Sequence, residues 1–171
     1  ESIEGRVAEH TLDVGLIEAP AKIAGLSSQI CCKDELHVIC APDYPLAGKK
    51  SVTPRGLVDY EYISREPGSG TREITDAYFR ANKIDPESLK IQMELGSPEA
   101  LKGVVSTGLG FAIVSRAVVA PEIEAKSLRM LTLKPSLKRS FQLIYPQEKF
   151  RTRLADTFID FAKHNFREFA V

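Results

Sequence analysis

The 171-residue sequence predicts an α/β fold with parallel sheets, and three observations carry that prediction. Short apolar runs of strand length recur along the chain, and stretches with apolar residues at helical spacing lie between them. Alternation of strands and helices is typical of parallel sheets. With 43% hydrophobic residues, the chain has enough apolar side chains to bury the core of one domain or of two small lobes.

The first half of the chain opens with a short helix, because Ile3 and Val7 lie at helical spacing. Predicted strands follow at residues 12–17, 29–32, 35–41 and 58–64. A loop with two glycines comes next, and residues 71–82 then carry their apolar side chains at helical spacing. This order predicts a strand, a glycine loop and a helix in succession.

The second half repeats the alternation. A strand is predicted at 91–95, and Ser97-Pro98-Glu99 has the cap, the first-turn proline and the early carboxylate of a helix start. That helix is expected to end at Gly108. The remaining predicted elements are strands at 110–114, 128–133 and 140–145, a short helix at 121–125, and a helix at 151–166 with Leu154, Phe158 and Phe161 on one face.

Composition excludes several classes of function for this segment. Lysine plus arginine and aspartate plus glutamate number 23 each, so the formal net charge is zero and no basic field favours nucleic acid. No apolar run approaches the roughly 20 residues of a membrane span. We therefore expect no contact of this segment with DNA or with a membrane.

Cysteine and histidine usage predicts a reducing, cytoplasmic environment without a metal site. The cysteines are odd in number and lie in or beside apolar runs, and the histidines are scattered along the chain. Neither set has zinc-ligand spacing. These residues are Cys31, Cys32, Cys40, His10, His37 and His164.

The most informative stretch is the loop from Arg65 to Arg72, with the sequence REPGSGTR. It places Gly68, Ser69, Gly70 and Thr71 directly before a predicted helix. Free N–H groups at a helix start bind anions, and glycine lets a ligand approach the backbone closely. The alternative is an ordinary tight turn in which Ser69 or Thr71 only caps the helix.

Two further residues are candidates for contact with a ligand. Ser97 begins the helix after the next strand, and the carboxyl ends of parallel strands are where α/β sheets bind ligands. Glu18 ends the first strand and could accept hydrogen bonds from a ligand. The plainer alternatives are that Ser97 only caps its helix and that Glu18 is solvated.

The sequence contains no convincing catalytic constellation, and we predict no catalytic residues, no metal and no cofactor. The Gly68-Ser69-Gly70 stretch lacks the pattern of a nucleophile elbow, and the loop lacks the lysine of a phosphate-binding loop. These features favour binding without chemistry.

The order of short motifs resembles the effector-binding domain of LysR-type transcriptional regulators over nearly the whole chain. The landmarks are DVGLIE at 13–18, DEL at 34–36, APDYPLA at 41–47, REPGSGTR at 65–72 and GLGFA at 108–112. Each is weak alone, but their succession is specific.

This resemblance implies a two-lobed fold of the type 2 periplasmic-binding-protein kind, with lobe one incomplete. Lobe one would comprise residues 1–36 and 141–171, and lobe two residues 37–140. Two crossover segments would act as hinges: Asp34, Glu35 and Leu36 in one, Phe141 and Gln142 in the other. The chain opens in an amphipathic pattern, so we expect it to be a piece that starts after the family's first strand, loop and helix.

The resemblance also implies a function. A small-molecule effector, by its chemistry a carboxylate or oxyanion, would bind between the lobes near Glu18, Gly68, Ser69, Gly70, Thr71 and Ser97. The chain would act as a homodimer or tetramer in the cytoplasm and would reach DNA only through a separate N-terminal domain. The alternative is a periplasmic-type solute-binding protein that feeds a transporter, and an enzyme on a similar cleft ranks third.

Overall fold

The computed structural model describes residues 2–18, 21–147 and 152–166. The chain divides into two compact units, one formed by Glu1–Asp34 with Arg139–Val171 and the other by Glu35–Lys138. The lobe boundaries expected from the resemblance, 1–36 with 141–171 and 37–140, stay predictions. No helix in the described ranges is both long enough and apolar enough to span a bilayer.

Unit 1 contains α1 (Ile3–Ala8), β1 (Gly15–Ile17) and α5 (Arg153–Asn165), together with the outer parts of β2 (Leu26–Cys40) and β8 (Leu137–Pro146). β1 pairs with β8 in antiparallel register, with Leu16 opposite Leu143. A Cβ on Gly15 would lie 2.6 Å from the Ile3 side chain, so glycine is needed where α1 packs on β1.

The face of α5 that packs into unit 1 is not its aromatic face. Leu154, Phe158 and Phe161 share one side of the helix, but they are 80%, 44% and 55% exposed. The buried positions are the small or β-branched ones, namely Ala155, Ile159 and Ala162. Helical spacing therefore predicted which residues share a face, but not which face is buried. The predicted first residue of this helix, Arg151, lies outside the described residues.

Unit 2 contains the rest of the elements. In chain order they are β3 (Ser51–Val52), a 3₁₀ turn (Pro54–Leu57), β4 (Tyr62–Arg65), α2 (Gly70–Ala81), a second 3₁₀ turn (Pro86–Ser88), β5 (Ile91–Leu95), α3 (Pro98–Ser106), β6 (Ala112–Ser115), α4 (Arg116–Glu124) and β7 (Arg129–Leu133).

The strands of unit 2 are of mixed direction. β4 pairs with β5 in parallel, and β3 pairs with β7 in parallel. The inner part of β2 runs antiparallel to both β6 and β7. The expectation of parallel sheets is thus correct for the strand–helix repeats, and the antiparallel pairs involve the long strands β2 and β8.

The unit 2 core forms where β4 and β6 meet the helices. The rings of Tyr62 and Phe111 stack with their centroids 5.0 Å apart, and Phe79 of α2 lies against Tyr62 edge-on. Gly110 allows this approach, because a Cβ there would lie 2.6 Å from the Glu61 carbonyl oxygen.

Several elements differ from the sequence prediction in extent: β1 begins at Gly15 rather than at residue 12, and β4 begins at Tyr62 rather than at residue 58. Residues 29–32 and 35–41 were expected as separate strands, but β2 is continuous through Lys33 and Asp34. The short helix expected at 121–125 begins earlier, at Arg116, because the Ser115 hydroxyl accepts a hydrogen bond from the Ala117 N–H at 3.2 Å.

A buried ion cluster explains how β2 tolerates charged residues in its middle. Arg139 of β8 donates from Nε to the Asp34 carboxylate at 2.7 Å, and its Nη1 lies 2.7 Å from the Glu18 carboxylate. Its guanidinium also lies 4.7 Å from the centre of the Phe141 ring. The side chains of Arg139 and Asp34 are each 7% exposed, so this charge pair is shielded from water.

We expect Arg139→Met to lower the free energy of unfolding by about 3–5 kcal/mol, because it leaves two carboxylates without their counter-charge in a buried setting. The control Arg153→Met, at an exposed position of α5, should change stability by less than about 0.5 kcal/mol. Urea unfolding followed by circular dichroism measures both, since the chain has no tryptophan. Equal stability of the two variants would show that the cluster contributes nothing net.

A second ion cluster joins α3 to α4 within unit 2. Lys102, whose side chain is 8% exposed, has its Nζ 2.7 Å from Glu122 and 3.0 Å from Glu99, and it donates to the Val118 carbonyl at 3.1 Å. The hydrogen bond to Glu122 raises the pKa of Lys102, and the same bond lowers the pKa of Glu122. Both shifts favour the charged pair.

The Lys102–Glu122 pair predicts a pH window for stability. Because the pKa of Glu122 is lowered by folding, its contribution is present above the unfolded value of about 4.3 and is lost as pH falls through the lowered folded value. Because the pKa of Lys102 is raised, its contribution is present below about 10.4 and is lost as pH rises through the raised folded value.

Urea unfolding of the parent chain and of Glu122→Gln, repeated from pH 3 to pH 8, tests the acid limb of this window. We expect the parent to be more stable at neutral pH and the difference to shrink below about pH 4.3. Glu124→Gln, an exposed position on the same helix, is the control and should show no such trend. A pH-independent difference for Glu122→Gln would contradict the assignment.

Candidate functional site

The loop between β4 and α2 folds as a turn that leads directly into the helix. Gly68 has φ of +86°, a left-handed conformation that favours glycine. Ser69 is the N-cap, with extended backbone angles, and α2 begins at Gly70, one residue before the predicted start. The glycines of this loop therefore serve the turn and the first helical position.

Ser69 does not cap the helix with its side chain. It occupies the N-cap position, but its hydroxyl accepts no hydrogen bond from the N–H groups of the first turn. The residue is nevertheless only 8% exposed. A buried serine at a helix N-terminus whose hydroxyl is not used for capping is suited to meet a ligand. The plain capping alternative is therefore not what the structure has at Ser69.

Ser97 does cap its helix. Its hydroxyl accepts a hydrogen bond from the Ala100 N–H at 3.4 Å, and Pro98 occupies the first helical position. Here the capping alternative is what the structure has, and contact of Ser97 with a ligand stays a prediction. The start of α3 lies at the same end of the strands as the start of α2, although Pro98 has no N–H to donate.

The loops after β4 and β5 lie side by side in unit 2. Arg65 is opposite Leu95 in the parallel β4–β5 ladder, and the Glu66 N–H donates to the Leu95 carbonyl at 3.3 Å. Because the two strands are parallel, both following helices start at the same edge. The loop that carries Gly68, Ser69, Gly70 and Thr71 and the loop that carries Ser97 therefore leave the ladder at the same edge.

Two arginines bind these loops to each other. Arg65 donates to both carboxylate oxygens of Glu66, at 2.8 and 2.9 Å, and to the Leu95 carbonyl at 3.2 Å. Arg72 donates from Nη1 to the Arg65 carbonyl at 3.0 Å and to the Glu94 carboxylate on β5. Each arginine therefore connects the β4–α2 segment with β5.

Neither arginine was among the residues predicted to contact a ligand. The Arg72 side chain is only 20% exposed and is paired with Glu94 and Asp76. The available signal was their position, since Arg65 and Arg72 flank the glycine loop on both sides.

The electrostatics of these loops follow from the same contacts. The hydrogen bond from Arg65 holds the pKa of Glu66 below its ordinary value. Burial raises the pKa of Asp76, against the opposing effect of Arg72. The anion-attracting groups here are thus the helix N–H groups, because most of the arginine charge is matched by carboxylates.

Glu18 lies in unit 1 and is not simply solvated. Its carboxylate forms the 2.7 Å ion pair with Arg139, and the side chain is 32% exposed. Contact of Glu18 with a ligand stays a prediction. The predicted hinge residues take different roles: Asp34 pairs with Arg139, Leu36 is fully buried, and Phe141 lies under the Arg139 guanidinium. Gln142 accepts a hydrogen bond from Ser28, and Glu35 is half-buried on β2.

Two of the cysteine thiols are weak nucleophiles. Burial raises the pKa values of Cys32 and Cys40 to about 11, so both thiols are protonated at neutral pH and lack thiolate character. Within the described ranges, no group of three or more histidine, cysteine, aspartate or glutamate side chains is arranged to hold a metal ion.

Comparison with known proteins identifies the family. The family model described as "LysR substrate binding domain" matches residues 1–167. The HTH-type transcriptional regulator YeiE of Escherichia coli (strain K12) is 35% identical over 156 residues, which cover 91% of this chain and 52% of that protein. The chain thus spans about half the length of the curated relatives it matches.

Solved structures show the same fold. The regulatory domain of CcmR from Synechocystis PCC6803, in complex with 2-PG, superimposes with a TM-score of 0.86 at 27% identity, covering 99% of this chain and 80% of that one. The effector-binding domain of QuiR, in complex with shikimate, gives 0.84 at 20% identity, with coverages of 100% and 81%. The family and these relatives are transcriptional regulators rather than enzymes. The chain therefore belongs to the LysR substrate-binding domain family.

Proposed function

We propose that this chain senses a small anionic metabolite and transmits its binding to a DNA-binding domain elsewhere in the full-length regulator. The observation that carries the proposal is the pair of helix N-termini at one edge of the β4–β5 ladder, with the N-cap Ser69, a buried residue whose hydroxyl is not used for capping. Relatives of known structure bind 2-PG and shikimate, which supports a small anionic effector.

The site we propose uses backbone and hydroxyl groups of unit 2. Gly68 and Gly70 let the effector approach the N–H groups at the start of α2, and Ser69 and Thr71 supply hydroxyls. Ser97 and the first turn of α3 bind a second polar group of the effector. These groups stabilise negative charge without a buried lysine.

Glu18 has less capacity to bind an effector than the other proposed residues have, because it is already paired with Arg139. One of its oxygens is bound to Arg139, so an effector would have to offer a hydrogen-bond donor to the rest of the carboxylate. The proposal that the effector lies between two lobes rests on the family resemblance alone.

Signalling would occur by a shift of population. An effector that binds one conformation of the domain more tightly than another moves the equilibrium toward it, by no more than that difference in affinity. Asp34, Glu35 and Leu36, with Phe141 and Gln142, are the hinge residues we propose. We also propose a homodimer or tetramer acting in the cytoplasm, with DNA contacted only by the separate domain.

Thermal unfolding with a panel of small anions, including 2-phosphoglycolate, shikimate and inorganic phosphate, tests this function. An effector at 100 times its dissociation constant should stabilise the chain by about 2.7 kcal/mol. Ser69→Ala should weaken binding by about 10- to 100-fold, because a hydrogen bond to a charged group contributes about 1.5–3 kcal/mol.

Ser69→Ala tests ligand binding more directly than Ser97→Ala does. The Ser69 hydroxyl does not cap its helix, so the substitution leaves α2 intact, whereas Ser97→Ala would also remove the cap of α3. Ser106→Ala, an exposed serine at the end of α3, is the control and should bind as the parent does. If no anion in the panel stabilises the chain, the proposal that the effector is a small anion is wrong. If Ser69→Ala binds an anion as tightly as the parent chain does, the binding site does not include Ser69.

A further inference from the structure

Arg72 is the charged side chain most closely built into the start of α2. It is the third residue of the helix, and its guanidinium turns back to donate to the Arg65 carbonyl at the end of β4. Nη1 also donates to the Glu94 carboxylate of β5, and Nε lies 3.8 Å from Asp76 in the next turn. A full positive charge thus lies within the first turn of the helix that we propose to bind the effector.

That charge is matched by carboxylates. Glu94 and Asp76 both lie against Arg72, so one guanidinium faces two acids. A guanidinium held by its own counter-ions attracts an incoming anion much less than a free one does. The strength of the α2 N-terminus as an anion site therefore depends on how firmly these acids hold Arg72.

The two acids are not equivalent. The Asp76 side chain is 22% exposed, and it contacts the guanidinium only at 3.8 Å. Glu94 is 40% exposed and makes the direct hydrogen bond. A carboxylate at this exposure can leave for water at a small cost, because exposed ion pairs contribute little. Glu94 is therefore the carboxylate that an incoming anion can displace from the Arg72 guanidinium.

Arg72 would keep its place if Glu94 left. The bond to the neutral Arg65 carbonyl, at 3.0 Å, anchors the guanidinium independently of the acids. Arg65 is itself held by two hydrogen bonds to the Glu66 carboxylate and by one to the Leu95 carbonyl. If the Glu94 carboxylate left, the positive charge of Arg72 would become available to an anion, and the Arg72 side chain would stay in place.

We propose that Glu94 is a built-in competitor for the anionic effector: it holds Arg72 in the ligand-free chain, and an anion at the start of α2 takes over part of that charge. This inference rests on the proposed function, since it assigns Arg72 and Glu94 the role of setting the affinity of the same site. Arg72 is a positioning and charge-supplying residue, and Glu94 raises the effector concentration at which the domain responds.

Glu94→Gln tests the proposal, because glutamine keeps a hydrogen-bond acceptor for Arg72 but removes the competing charge. The probe is inorganic phosphate, titrated by calorimetry at low ionic strength together with the strongest-binding anion of the panel. We expect Glu94→Gln to tighten anion binding by about 3- to 10-fold and Arg72→Gln to weaken it by a similar factor.

Glu73→Gln is the matched control, because it removes the same charge from an exposed position in the same helical turn. Any general field effect appears equally in Glu73→Gln and Glu94→Gln. The proposal requires that Glu94→Gln tighten binding more than the control does, and that this excess vanish in an Arg72→Gln background.

The outcomes separate this inference from the function on which it rests. If the parent chain binds anions and Ser69→Ala does not, but Glu94→Gln binds no more tightly than Glu73→Gln, competition by Glu94 is wrong and the effector site stands. If Glu94→Gln instead lowers the unfolding temperature and weakens binding, the pair is only structural. Absence of anion binding by the parent chain would overturn both proposals.

Discussion

Parallel pairing of β4 with β5 is the constraint on which the proposed site depends. Because the two strands run in the same direction, the chain must leave both at the same edge, and both following helices start there. The starts of α2 and α3 then face one region, although α3 offers fewer N–H donors, because Pro98 has none and Ser97 binds the Ala100 N–H. An antiparallel arrangement of the same residues would place these helix starts at opposite ends and leave no common site.

Several contacts serve that pairing. Arg65 and Arg72 bind the end of β4 to the end of β5, and the Glu66 N–H continues the ladder by one further bond to Leu95. On the other side of β4, the Ile63 N–H donates to the Phe111 carbonyl at 2.8 Å, where Gly110 permits close approach. β4 is therefore hydrogen-bonded along both edges, and this fixes the position at which the glycine loop begins.

The ion clusters show how this chain manages charge away from water. Arg139 and Lys102 are each nearly buried, and each contacts two carboxylates. Arg72 has the same two-acid arrangement, but its own side chain is 20% exposed, against 8% for Lys102 and 7% for Arg139. A nearly buried cation stabilises the fold through its ion pairs, whereas a more exposed cation can exchange a carboxylate partner for an anion from solution.

The sequence by itself determined the α/β class, the family, the two loops of the candidate site and the order of the main helices and strands, but not β3 or the continuity of β2. Those features depend on local chemistry, because a few adjacent residues are enough to predict each of them. Examples are apolar periodicity, the Gly68–Gly70 turn and the Ser97-Pro98 helix start. Tertiary structure alone decided which face of α5 is buried, because helical spacing groups Leu154 with Phe158 but does not say what packs against them.

The same limit applies to the polar contacts. That Ser97 caps its helix and Ser69 does not depends on side-chain rotation, which the residue type leaves open. The pairing of Arg72 with Glu94 and of Arg139 with Asp34 joins positions 22 and 105 residues apart. Such contacts exist only once the strands are aligned, so the sequence determined the parts of the site, and the register of the strands decided which of them meet.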